Sequence, residues 1–157
     1  MNVTIFTIGS LASLHEKNLS GFYLERLKKI CSNLSIRSVT TKELRVRKNS
    51  KPLEQTALML KNISSDMLVV ALDEKGDTLS SMEFAQKISK WREQGCQSVA
   101  FLIGGAEGHA PEIFTRAAMS LSMSKMTWPH SLARIMLYEQ LYRSILILNG
   151  HPYHKDG

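Results

Sequence analysis

The residues of this chain that could do chemistry fall in three clusters. The first is Gly104-Gly105-Ala106-Glu107-Gly108, where missing Cβ atoms and access to positive φ let backbone approach a ligand closely. It matches neither the dinucleotide pattern Gly-x-Gly-x-x-Gly nor the phosphate loop, since no Gly-Lys-Ser/Thr follows, so alone it reads as a tight turn. The second is Lys42, Arg45, Arg47, Lys48 and Lys51, five cations in ten residues against the single acid Glu43. Such a run grips phosphates or forms a solvated loop. The third is the tail His151-Pro152-Tyr153-His154-Lys155, which sets an aromatic ring beside cations, as stacking on a base and holding a phosphate require. A frayed terminus has the same composition. Two histidines without a third ligand make no metal site, and none is expected. His109 lies within the glycine run, His130 at the start of a helix, and His15 in an ordinary loop. Cys31 and Cys96 form no Cys-x-x-Cys pair and read as small buried hydrophobes of a reducing compartment.

The framework around them is one domain. The 157 residues are 43% hydrophobic and 22% charged, which excludes disordered, collagenous and coiled-coil classes. The 20 Lys and Arg exceed the 14 Asp and Glu, giving a net charge of +6 that points either to a polyanionic partner or to solubility alone. No apolar run approaches the roughly 20 residues of a membrane span, and Ser144 to Leu148 is a short piece of a mixed-polarity segment. Met1-Asn2-Val3-Thr4 has no basic leader region. A cytoplasmic protein without a membrane partner is expected.

Strand and helix patterns alternate. Asn2–Gly9 reads as a strand, Asn18–Cys31 as an amphipathic helix, and Ser35–Val39 as a strand. A helix opens at Lys51-Pro52 with Leu53, Ala57, Leu60 and Ile63 on one face. Met67–Asp73 is a continuous apolar strand of the kind covered on both faces. Ser80 and Glu83 form a capping box for a helix that closes at Gly95. Ser98–Ile103 is a further buried strand, Pro111 leads a short helix to Met119, and Ser120–Met123 is a short strand. The last helix runs from His130 or Ser131 to Asn149. This order predicts an α/β fold, a single domain with a mostly parallel sheet and helices on both faces. Ligands bind such sheets beyond the carboxyl ends of the strands, here after Leu72, Ile103 and Met123. The last helix is apolar around nearly its whole girth, which predicts a partner over it and hence a homodimer. Glu139 and Arg143 are spaced as a helical ion pair.

Taken together, Leu72-Asp73-Glu74-Lys75-Gly76, Leu79 to Ala85, Ile103 to Gly108, Leu121 to His130, and Glu139 to Arg143 with the tail 151–155 resemble the ribosomal RNA large subunit methyltransferase H family. That family is one of the SPOUT class of knotted S-adenosylmethionine-dependent RNA methyltransferases. The motifs run in the family's order from about Leu68 to the end. Two departures are Ala106, where relatives commonly carry proline, and His109, in place of a usually apolar residue. The resemblance implies one SPOUT domain over 1–157, a deep C-terminal trefoil knot with the cofactor-binding region at about 68–157, and a homodimer. It further implies methylation of N3 of a pseudouridine in helix 69 of 23S rRNA on the assembled ribosome, with S-adenosylmethionine as cofactor. Carried over by motif, the cofactor site comprises Leu72, Gly104, Met123, Ser124, Lys125, Met126, Thr127 and Trp128.

An imide-like N3 is a poor nucleophile until its proton leaves, so a base or a cation beside it assists. Arg134, His130 and His154 are candidates, Arg134 serving equally as a phosphate or interface group. Tyr153 and His154 are assigned to substrate contact, supplied across the dimer. The competing readings are a non-catalytic ribosome-binding or assembly factor and a related knotted enzyme acting on transfer RNA. The intact glycines and His-Pro-Tyr-His argue against the first.

Overall fold

The structure, a computed structural model, describes residues 1–31 and 36–153. Five strands form one sheet in the order β2-β1-β4-β3-β5, every neighbouring pair parallel. They are β1 (Asn2–Ile8), β2 (Ser38–Leu44), β3 (Leu68–Thr78), β4 (Ser98–Ile103) and β5 (Met119–Ser122). Five helices, α1 (Leu14–Cys31), α2 (Pro52–Asn62), α3 (Ser81–Glu93), α4 (Glu112–Arg116) and α5 (His130–Leu148), supply the crossovers and the final element.

The pleat sorts the apolar side chains into two cores. Val3 and Ile5, Val70 and Leu72, and Val99, Phe101 and Ile103 face Leu27 of α1, Phe84, Ile88 and Trp91 of α3, and Leu137, Leu141 and Ile145 of α5. The intervening Phe6, Ile8, Val69, Ala71, Ala100 and Leu102 face Met59 of α2 and Ile113 of α4. Burying one such large side chain contributes about 1.5–3 kcal/mol, so both layers are needed.

Several boundaries differ from those read off the sequence. α1 begins four residues before Asn18, at Leu14. Ser13 Oγ there accepts from His15 N at 3.2 Å, and Glu16 Oε2 accepts from Ser13 N at 3.4 Å. β2 is displaced toward the basic run because its pairing with β1, from Asn2↔Ser38 to Ile8↔Leu44, draws Lys42 and Glu43 into the ladder. Ser35 lies outside the described residues. On α2 Thr56 and Met59 are buried, and Leu60 and Ile63 pack against the core as expected, whereas Leu53 is 55% exposed and Ala57 is also exposed. Thr56 faces inward because its hydroxyl accepts from Ala110 N at 3.1 Å. The capping box of α3 forms as expected, with Ser80 Oγ accepting from Glu83 N and Glu83 Oε2 from Ser80 N. Gly95 ends that helix at φ +82°.

β3 runs past Leu72 to Thr78 through a bulge, for both Leu72 and Asp77 pair with Leu121. A Cβ on Gly76 would lie 2.7 Å from the backbone of Ser120 and Leu121, so only glycine lets the two chains meet there. α5 packs between α1 and α3, and no residue of it from 131 to 148 is fully exposed. Its own chain therefore covers most of the apolar girth that the sequence assigns to a partner.

Candidate cofactor cleft

With all strands parallel, their carboxyl ends share one edge of the sheet. The connections out of β3 and β4 diverge there, α3 covering one face and α4 the other. That divergence opens a crevice at the ends of β3, β4 and β5. It encloses about 980 Å³, lined by Leu72 to Lys75, the turn 103–109, Phe114, Ser120 to Ser124, Met126 to His130, and Ala133. Of the residues carried over for the cofactor, Leu72, Gly104, Met123, Ser124, Met126, Thr127 and Trp128 line this cleft. Lys125 is exposed and does not line it.

Each wall has a local cause. The glycine turn closes through Gly108 N donating to Gly105 O at 3.0 Å, with Gly108 at φ +74°. A Cβ on Gly104 would sit 2.8 Å from the Gly108 carbonyl, so this turn packs backbone on backbone. The opposite wall is organised by Ser124. Its hydroxyl accepts from Met126 N at 2.9 Å and from Trp128 Nε1 at 2.7 Å, folding the chain between β5 and α5 into a compact hook. Thr127 Oγ1 donates to Glu74 Oε2 at 3.1 Å and ties the hook to the β3 bulge.

His109, in the turn wall, approaches the Leu102 carbonyl through Nε2 at 3.2 Å and meets Phe114 edge to face at 6.5 Å. Burial pushes its pKa below the ordinary histidine value, more strongly than the Leu102 and Leu72 carbonyls and Asp73 push it up. The imidazole is neutral at pH 7 and donates Nε2–H to Leu102. Phe114 was not legible as a lining residue, because nothing in the sequence relates α4 to the glycine turn.

In a chain of net positive charge, this cleft carries carboxylates at Asp73, Glu74 and Glu107. Leu72, Ile103, Leu121 and Phe114 add apolar surface. The three carboxylates outnumber the one lysine of the lining, Lys75, and with the apolar surface suit a ligand that has a flat part and a cationic centre. Among the described residues no group of three or more His, Cys, Asp or Glu could hold a metal ion. No helix among them is long and apolar enough to cross a membrane.

The residues expected to touch substrate are dispersed. His130 is exposed on the cleft rim at the start of α5. Arg134 is only 8% exposed, with Nη1 2.8 Å from Glu43 Oε1 and Nε donating to Tyr138 Oη at 2.9 Å. Its guanidinium joins α5 to β2 and does not line the cleft. Tyr153 folds back on α5, edge-on to Tyr142 at 5.3 Å, under the Arg143 guanidinium at 4.9 Å, its hydroxyl 3.5 Å from Glu139. Burial and Glu139 hold its phenol above the ordinary value, so it stays protonated. His154 lies outside the described residues. Glu139 and Arg143 form the expected pair, Nε to Oε1 2.9 Å. Cys31 is inert, its thiol pushed up to about 11 by burial.

A family model described as a predicted SPOUT methyltransferase matches residues 1–154. The ribosomal RNA large subunit methyltransferase H of Rhizobium leguminosarum bv. trifolii (strain WSM2304) is 36% identical over 99% of both chains. The protein of the same name from Roseobacter denitrificans (strain ATCC 33942 / OCh 114) is 40% identical, over 99% of this chain and 100% of its own. Among solved structures, a probable methylase family protein from Haemophilus influenzae Rd KW20 superposes with a TM-score of 0.54 at 16% identity. That match covers 98% of this chain and 70% of the other. A probable methyltransferase from Bordetella pertussis Tohama I gives 0.53 at 11% identity, over 92% and 96%. At those identities the structural matches speak for the fold alone.

Proposed function

The chain belongs to the ribosomal RNA large subunit methyltransferase H family of SPOUT methyltransferases, and from that premise we propose that it uses S-adenosylmethionine to methylate N3 of a pseudouridine in helix 69 of 23S rRNA. In this reading it acts on the assembled ribosome, in the cytoplasm, as a homodimer with a C-terminal trefoil knot. The observation that carries the reading is the cleft at the ends of β3, β4 and β5, whose walls are the motif residues of the family.

Bound there, the sulfonium supplies an electrophilic methyl group and leaves as a thioether. What the chain contributes is alignment and exclusion of water. The glycine turn and the Ser124 hook offer backbone amides and carbonyls from opposite walls, and Trp128 and Met126 flank the mouth. His130, on the rim, would accept the N3 proton, which frees the in-plane lone pair of that nitrogen to take up a methyl group. Arg134, held by Glu43 and Tyr138, acts as a positioning group for the first turns of α5. Tyr153, protonated, serves as a donor to the substrate from the second subunit, and His154 is assigned to substrate contact as well.

Support for the dimer comes from a second groove of about 640 Å³ between α1, α3, α5 and Trp128, lined by Leu19, Tyr23, Phe84, Leu132 and Met136 among others. Leu14, 68% exposed, and Phe22, 49% exposed, extend the apolar surface on α1. Glu139, which Tyr153 reaches, lines the same groove. A second copy seated there would meet the tail of the first.

The test is transfer of labelled methyl from S-adenosylmethionine to purified ribosomes with and without the helix 69 pseudouridines. Incorporation only when they are present is expected. Incorporation without them, or into transfer RNA alone, overturns the assignment.

A further inference from the structure

The basic run following β2 is not a free loop. Leu44 and Val46 turn into the core beside α2, which sends the alternate Arg45 and Arg47 outward. Ser50 N donates to Arg47 O at 3.1 Å, closing a turn in which Asn49 takes φ +66°. Gln55 of α2 then fixes the end of the segment, its Nε2 donating to Ser50 O at 2.8 Å. The same side chain abuts the cofactor cleft, since a Cβ on Gly105 would lie 2.6 Å from Gln55 Oε1. One glutamine thus spans the basic segment and the glycine turn.

Arg45, Arg47, Lys48 and Lys51 are all exposed. Among the described residues none of these four side chains has an ion-pair or hydrogen-bond partner. Glu43, the acid inside the run, is taken by Arg134 at 2.8 Å. Because β2 and β4 are separated only by β1, the end of β2 from which the segment continues sits about 10 Å along the carboxyl edge from the end of β4. Four unpaired cations on a braced scaffold, beside a methyl-donor cleft, match a polyanionic backbone and spare most of the ordering cost on binding.

We infer that the segment Arg45–Lys51 is a docking surface for the phosphate backbone of the RNA substrate, held at a fixed distance from the methyl donor by Gln55. This rests on the function proposed above and adds the surface on which the substrate lies. The phosphates position the RNA and carry no sequence information, so selection of the base belongs to the cleft and the tail.

The test compares the wild type with R45A/R47A/K48A and, as a control on a separate exposed surface, K87A/K90A on α3. Binding to purified ribosomes is measured from about 50 to 200 mM salt, alongside cofactor affinity and the KM and kcat of methyl transfer. The expected result is binding weakened at least about tenfold, with the slope of log K against log salt reduced by about two to three, near 0.7–0.9 for each of the three phosphates no longer neutralised. The loss falls on KM for ribosomes, and cofactor affinity is unchanged. An unaltered slope and affinity, an equal loss in K87A/K90A, or no ribosome binding by the wild type overturns the inference. Binding lost in the triple variant while the wild type transfers no methyl upholds the surface and sinks the reaction. Transfer by the wild type with binding unaltered in the triple variant does the reverse.

Discussion

At the residue scale, His109 couples the cleft to pH. Its folded pKa lies below the ordinary value of 6.5, chiefly through burial. Above pH 6.5 folded and unfolded chains are both neutral at this site and no penalty exists. As pH falls below 6.5 the unfolded chain binds a proton that the folded site resists, so stability declines until the folded imidazole titrates too. His109→Leu removes that linkage. Urea midpoints measured between about pH 7.5 and 5 are expected to fall more steeply for the wild type than for the variant, and parallel curves would refute the assignment. Glycine makes a sharper demand at position 76. Gly76→Ala thrusts a methyl to 2.7 Å from the backbone of β5, which cannot yield as a side chain would. We expect a loss of about 1–3 kcal/mol in urea unfolding, together with weakened cofactor binding, because the bulge carries Glu74 to Thr127. Gly105→Ala meets only the tip of Gln55 and is expected to cost less.

At the scale of elements, α5 is fastened to β2 by polar groups that no periodicity reveals. Tyr138, fully buried, shares a 2.6 Å hydrogen bond with Thr41 and accepts from Arg134. Tyr138→Phe strands the Arg134 Nε–H and the Thr41 hydroxyl, and is expected to cost about 1–3 kcal/mol in chemical denaturation with the cleft intact by cofactor binding. The strand cores, the capping box at Ser80 and the strand ends around the cleft were legible in the sequence, whereas Phe114 of the cleft wall was not. Each is written in local pattern: apolar runs, a serine three residues before a glutamate, motif residues at strand ends. The inward face of α2 was legible only at Leu60 and Ile63, because Thr56 turns in to satisfy Ala110 N, a partner 54 residues away. The position of β2 was not legible, since it is set by its register on β1. Arg134 reads as a catalytic cation in the sequence for the same reason: its acid, Glu43, is distant along the chain and adjacent only in the fold.

For the whole molecule, the proposed pairing of two copies can be tested at the groove itself. If the groove beside α1 and α5 is where the subunits meet, Leu132→Glu places a carboxylate in it and shifts sedimentation equilibrium toward the monomer. Methyl transfer is then expected to fall at least about tenfold, because the tail no longer reaches the second cleft. An undiminished dimer would place the interface elsewhere. The order of strands also has a consequence in time. β4 is hydrogen-bonded to β1 on one side and β3 on the other, so the two halves of the sheet cannot join until residues 98–103 exist. During synthesis β1 therefore waits with one flank unpaired while about a hundred residues follow, a state open to mispairing with other chains. Closure depends on pairings distant in sequence, which makes slow refolding the expected behaviour. In stopped-flow experiments Phe101→Leu, in the strand that completes the sheet, should retard refolding more than Leu27→Ala of α1 does for an equal loss of stability.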